Sequence, residues 1–173
     1  MGYGRGVPKF TVTHEIRCSV DAFWKLFFDA RFNDELYLGH LGFPQFKIVT
    51  QNEGEARITR KVMGQPKMSV PAPVAKLLGQ NFGYTEDGVF DRATKVWTWK
   101  LTPSALAGKM RNEGTLRVEA VGDAKVRRVA DLLVECTVFG LGGLIETSTE
   151  KQLREGWDAS AVFTNGYLAK QRP

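Results

Sequence analysis

Cysteine is almost missing from this chain. The two present in 173 residues, Cys18 and Cys136, fit no metal or redox spacing. That excludes a disulfide scaffold, a zinc module and a paired-thiol redox centre, and leaves two reduced thiols in or near a core, with the cytoplasm as the default location. Histidine is equally scarce: His14 and His40 have no partner at ligand spacing, so no metal site is expected. Long apolar runs are absent too. The longest, residues 136–145, is interrupted by glycines and falls well short of the roughly 20 residues a membrane-spanning helix needs. Residues 1–8 are glycine-rich and lack the apolar core of a signal peptide. Gly6 stands where a myristoylation signal wants Ser or Thr, so neither a leader nor a lipid anchor is expected. No Gly-x-Ser-x-Gly elbow, phosphate loop or dinucleotide fingerprint occurs. Gly140-Leu141-Gly142-Gly143 lacks the full phosphate-binding pattern and is read as the turn from the last strand into the last helix, so no cofactor is expected.

Charge of one sign is only mildly in excess. Lys and Arg number 24 against 19 acidic residues, a net charge of +5. The excess is dispersed, with one cluster at Lys125, Arg127 and Arg128, and no helix-turn-helix, aromatic RNA-binding signature or zinc module accompanies it. Nucleic acid is therefore not an expected partner, whereas transient contact with an anionic membrane surface is compatible with the charge. The length suits one domain, and neither a repeat nor a linker marks a second.

What is present is a clear alternation of periods. Residues 143–170 place Leu144, Ile145, Ser148, Leu153, Trp157, Ala161, Phe163 and Leu168 three and four apart with charges mostly between them, which predicts a long amphipathic helix. Gly156 and Gly166 inside it are read as points of close approach to a sheet. Residues 9–17 alternate with Phe10, Val12, His14 and Ile16 on one face, a strand with one dry side. Ser19 is positioned to cap a helix reaching Ala30, and residues 33–38 suggest a second short one. Strands are predicted over 45–51, 55–63, 82–91, 95–102, 111–121 and 125–139. Pro71 and Pro73 turn residues 68–80 into an insertion with one or two helical turns, read as a lid over an opening or as a helix patching the edge of the core. The order is strand, two short helices, a strand meander and a long final helix: an α+β domain over residues 9–170, preceded by a tail, residues 1–8.

That order, with Ser19-Val20-Asp21-Ala22-Phe23-Trp24 opening the first helix and Gly140-Leu141-Gly142-Gly143-Leu144-Ile145-Glu146 leading into the last, resembles the START-like superfamily, also called SRPBCC or Bet v 1-like. In particular it is similar to a bacterial family of unknown function within it, in which a glycine pair, an apolar residue and Glu start the final helix. The resemblance implies a helix-grip fold, a curved seven-stranded antiparallel sheet wrapped around the C-terminal helix with a cavity between them. It further implies binding or transport of a hydrophobic small molecule such as a lipid, sterol or polycyclic. A polyketide cyclase or aromatase-like enzyme and a protein-binding module such as a chaperone activator are the alternatives.

Strand parity then selects polar residues facing a dry interior. His14 lies between Val12 and Ile16, Arg60 between Ile58 and Val62, Glu86 shares parity with Tyr84 and Phe90, and Arg128 with Ala130 and Leu132. An interior charge needs a partner or water, and Arg60 and Glu86 are expected to pair across neighbouring strands, unless these polar groups orient a ligand's head group. Trp97, Trp99, Leu153, Trp157 and Ala161 complete the expected ligand walls, core residues if the interior is solid. No catalytic residue is assigned, and catalysis is not the leading expectation.

Overall fold

The computed structural model describes residues 9–172. The expected tail, residues 1–8, lies outside them. Strand β1 (Lys9–Ile16) buries Phe10, Val12 and Ile16. Ser19 then caps α1 (Val20–Phe27), its hydroxyl accepting from the Ala22 N–H at 3.2 Å. The helix stops at Phe27 rather than at Ala30, because Asp29 offers a stronger start for a new one. Its carboxylate accepts from the Phe32 N–H at 2.7 Å and opens α2 (Ala30–Asp34). The short helix expected over 33–38 is thereby divided between the end of α2 and a π-helical turn, Glu35–His40.

These helices carry the chain from one edge of the sheet to the other. There β2 (Gln45–Glu53) begins a meander through β3 (Arg57–Gln65), β4 (Tyr84–Asp91), β5 (Val96–Pro103), β6 (Met110–Gly122) and β7 (Lys125–Cys136). The result is a seven-stranded antiparallel sheet of order β1-β7-β6-β5-β4-β3-β2. Between β3 and β4 the prolines open α3 (Ala72–Leu78), closed by Gly79 at φ 84°. It buries Val74 and Leu78 with Phe82, Cys136 and Ile145 as a second core cluster. The 30-residue α4 (Gly142–Gln171) crosses the concave face. The arrangement is α+β, as the strand and helix order predicted, and it is the helix grip that the family resemblance implied.

Three strand glycines shape that concave face. An added Cβ would lie 2.7 Å from the Tyr84 ring at Gly64, 1.9 Å from the Trp97 indole at Gly88 and 2.5 Å from the Trp99 indole at Gly114. Each missing side chain lets a ring from a neighbouring strand lie flat on the sheet. The two indoles join Phe23, Trp24, Phe27, Phe28 and Phe90 in the main core, where Trp24 and Phe90 meet at 4.4 Å between centroids. Against this floor α4 is placed asymmetrically. Its backbone runs close to β1, β7 and the π-helical turn and stands off β3, β4 and β5. Both cysteines are buried and free. Among the described residues no helix is long and apolar enough to cross a membrane.

Candidate functional site

The sheet register puts the predicted polar residues into two groups on one concave face. Where α4 is close, His14 pairs in register with Arg128. The Arg128 guanidinium donates from Nη1 to Ser160 Oγ at 3.0 Å, and from Nη2 to the Trp157 carbonyl at 2.9 Å and to His14 Nδ1 at 3.1 Å. An arginine can only donate, so His14 Nδ1 accepts and its proton sits on Nε2, facing the Asp158 carboxylate at 2.6 Å. The guanidinium also lies 4.8 Å from the Trp157 ring. Burial pulls Arg128 down to about 10, still cationic at neutral pH. The partner that His14 lacked in the sequence is thus supplied by two elements far away along the chain. Although the sequence places Arg128 in a basic cluster at a turn, it is buried and ties β7 to α4.

Where α4 stands off, the polar groups are less completely satisfied. Arg60 is buried beneath Phe27, Phe28 and Trp97, its guanidinium carbon 4.5, 5.6 and 5.0 Å from the three ring centroids. Its Nη1 donates to the Phe27 carbonyl at 2.9 Å, while Nε, like that of Arg128, is buried without a partner. The expected pair with Glu86 is a loose one, Nη2 to Oε1 at 4.0 Å. Glu86 keeps 18% of its side chain accessible, yet burial dominates its proton affinity and raises it, opposed by Arg60. Tyr84 and Tyr37 lie within electrostatic reach of Glu86 and of each other. Burial raises Tyr37 to about 12 and lifts Tyr84 well above the ordinary phenol range, so both phenols remain protonated donors. Neither phenol makes a side-chain hydrogen bond among the described residues. Asn112, one row along the sheet, has its carbonyl oxygen buried and unpartnered.

The walls divide the same way. Trp97 is fully buried and Trp99 lies 6.1 Å from Trp157 between centroids. Leu153 and Trp157 are half-buried against the main core, which contains Ala161. Phe163 points elsewhere, against Phe32, Tyr167 and His40. Gly156 and Gly166 of α4 do not approach the sheet: an added Cβ on either meets nothing within 4 Å. Gly156 is half-buried and shares a helix face with Gln152, which bonds to the Lys67 carbonyl, and with Phe163. It therefore looks into the space beside β3 and the π-helical turn. Two concavities of about 390 Å³ lie elsewhere, one lined by Cys136 to Gly143 and one by Arg31, His40 and Tyr167 among others.

Sequence reasoning missed three members of this interior. Asn112 shares parity with Leu116 and Val118, the rule that selected Glu86, and was within reach of it. Tyr37 sits in a π-helical turn, where neither period applies. Asp158 falls on the polar side of α4 and is 72% exposed, which looks like ordinary solvation until β1 is laid beside it.

Residues 11–168 match the model of a family described as "Protein of unknown function (DUF2505)". No curated protein matches. Among solved structures the chain is similar to TTHA0849 from Thermus thermophilus, at 20% identity over 95% of this chain and 100% of that one with a TM-score of 0.65. It is also similar to the Zhui aromatase/cyclase from Streptomyces sp. R1128, at 13% identity over 95% of both chains and a TM-score of 0.68. A START superfamily protein from Mycobacterium smegmatis follows at 12% identity over 95% and 99%, TM-score 0.61.

Proposed function

The chain belongs to the DUF2505 family, and from that premise, with its helix-grip fold, we propose that it binds and carries a hydrophobic small molecule between β3–β5 and α4. The observation that carries this reading is that Arg60 and Asn112 keep buried, unpartnered polar atoms on the part of the sheet that α4 stands off, while an added Cβ on the half-buried Gly156 at the middle of α4 meets nothing within 4 Å. An apolar ligand body, lipid-like or polycyclic, lies along Leu101, Leu153, Trp99 and Trp157. Its polar end meets Arg60, Glu86, Tyr84 and Tyr37, two protonated phenols and an arginine that donate beside a carboxyl that burial pushes toward its neutral form. Removing about 300 Å² of apolar ligand surface from water is worth roughly 7 kcal/mol before the cost of association, enough for reversible carriage. The donor-rich end selects ligands bearing a carbonyl, hydroxyl or acid group.

Native mass spectrometry of the protein purified from its own host, followed by extraction, tests this. A discrete apolar adduct is expected. Gly156→Leu, which fills the space, should lose the adduct while keeping the thermal midpoint of the parent. A bare mass together with no uptake from an offered panel of lipids and polycyclics overturns the reading.

One observation favours a second reading, an enzyme of the cyclase or aromatase kind. A carboxyl made more basic by burial, beside an arginine in an apolar interior, is suited to move a proton on a folded carbonyl chain. If so, Glu86→Gln abolishes conversion of an offered poly-β-ketone mimic yet retains its binding. Conversion at the parent rate rejects it.

A further inference from the structure

We propose that the end of the molecule where β7 hands over to α4 docks on an anionic lipid bilayer, with Phe139 inserted and Lys76 and Lys109 on the headgroups. Phe139 is fully exposed at the tip of this turn, next to Gly140 at φ 76°. Full exposure of a phenylalanine has no folding benefit, and two more large apolar side chains, Leu77 and Leu144, stay exposed at the same end. The position of the turn is fixed rather than adventitious. Thr137 donates its N–H to the Lys109 carbonyl at 2.8 Å, and Val138 and Leu141 pack with Val74 and Leu78 of α3 and with Leu106. Three segments therefore converge at this end: residues 64–83, 101–112 and 136–145.

Charge decides what covers it. Together these segments contain Lys67, Lys76, Lys109 and Arg111 and no acidic residue. Arg111 is committed to Glu113 at 2.8 Å, and Lys67 lies apart, beside Gly42 and Gln152, whereas Lys76 and Lys109 hold no ion pair among the described residues. Elsewhere acidic residues are interspersed with the basic ones and several pair with them, as at Lys61–Asp87, Lys125–Glu15 and Arg117–Asp131, so the lack of any acidic residue is what sets this end apart. An aromatic wedge with two unpaired lysines at the same end complements an acyl boundary beneath a layer of phosphates. A protein partner would have to supply an acidic rim around an apolar socket, a more particular surface than any anionic leaflet.

Co-sedimentation of the full chain with vesicles tests this. Binding is expected to a mixture of phosphatidylcholine and phosphatidylglycerol, to weaken with added salt, and to be much poorer for phosphatidylcholine alone. Phe139→Ser should lower the partition coefficient about tenfold, and Lys76→Glu with Lys109→Glu by more than the roughly fivefold expected per lysine. Thermal midpoints of both variants should match the parent, since none of the three side chains is buried. Val162→Ser is the control, an exposed apolar residue about 27 Å along α4 from Leu144 at 1.5 Å per residue, and should bind as the parent does. No binding to either vesicle, equal binding to both, or an equal loss in the Val162 variant overturns the proposal. So does a Phe139-dependent dimer that forms without vesicle binding, which would assign the patch to a second copy of the chain.

Discussion

Arg60 and Arg128 stand on the same concave face and are equally buried, but they are held in different ways. Arg128 faces the part of α4 that lies against β1 and β7, and it reaches a carbonyl, a hydroxyl and an imidazole, all within 3.1 Å. Arg60 faces the part where α4 stands off. It has one carbonyl, three ring faces and a carboxylate at 4.0 Å. Each keeps a buried Nε without a partner, so the difference lies in the terminal nitrogens: both are bonded in Arg128, whereas Nη2 of Arg60 has only the distant Glu86. Burial alone therefore does not tell a clamp from a site on this sheet. What separates them is how far the opposite wall is.

The clamp should break hardest. Arg128→Met removes three hydrogen bonds and leaves His14 Nδ1 without its donor in a dry layer, and should cost about 3 kcal/mol in urea unfolding. A loss below about 1 kcal/mol would make Arg128 another underused cation and erase the contrast with Arg60. Next in size is Gly88→Ala. Its Cβ would sit 1.9 Å from a fully buried indole, and displacing Trp97 should cost about 2 kcal/mol and shift the tryptophan emission. Gly64→Ala meets the half-buried Tyr84 instead, which can swing away, and should cost visibly less.

The sequence made one side of this comparison more legible than the other. Strand parity put His14, Arg60, Glu86 and Arg128 on one face, because an alternating pattern depends only on adjacent residues. The fold was legible for a similar reason: capping at Ser19, the proline-opened insertion and the long helical period are local signals. Whether a polar residue is satisfied is not local. His14 and Asp158 are 144 positions apart, and no period links them. The split of the short helices was missed because Asp29 reads as an interior residue of a longer helix unless its capping bond is weighed first. Gly156 was misread because a helical glycine signals either close packing or vacant space, and only the opposite wall distinguishes them.

Glu86 sharpens the open side through its titration. Burial raises its pKa in the folded state, so the folded chain holds this proton more tightly than the unfolded one. The stabilisation this provides is complete below the unfolded value of about 4.3 and is lost as pH rises through the higher folded value. Relative to Glu86→Gln, which keeps the shape and cannot ionise, the parent should therefore lose stability as pH rises above about 4.3, the more gently for the opposing Arg60. A parent that gains on Glu86→Gln over the same range would mean that Arg60 pairs with Glu86 as tightly as Arg128 is held, and the two sides would be alike.

The smallest effect carries the sharpest test. Gly156→Ala on α4 adds one methyl where nothing lies within 4 Å, and it removes the conformational entropy that glycine loses in a helix. It should therefore raise stability by up to about 1 kcal/mol. Had Gly156 approached the sheet, the same change would destabilise, as Gly88→Ala does, so the sign alone reports where α4 stands relative to β3–β5. Coupled to ligand uptake, the sign gains a second meaning. A methyl that stabilises the free protein while weakening the adduct occupies space that the ligand uses. One that stabilises and leaves uptake untouched puts the ligand elsewhere, and the unfilled donors around Glu86 then belong to the water of a solid core's edge.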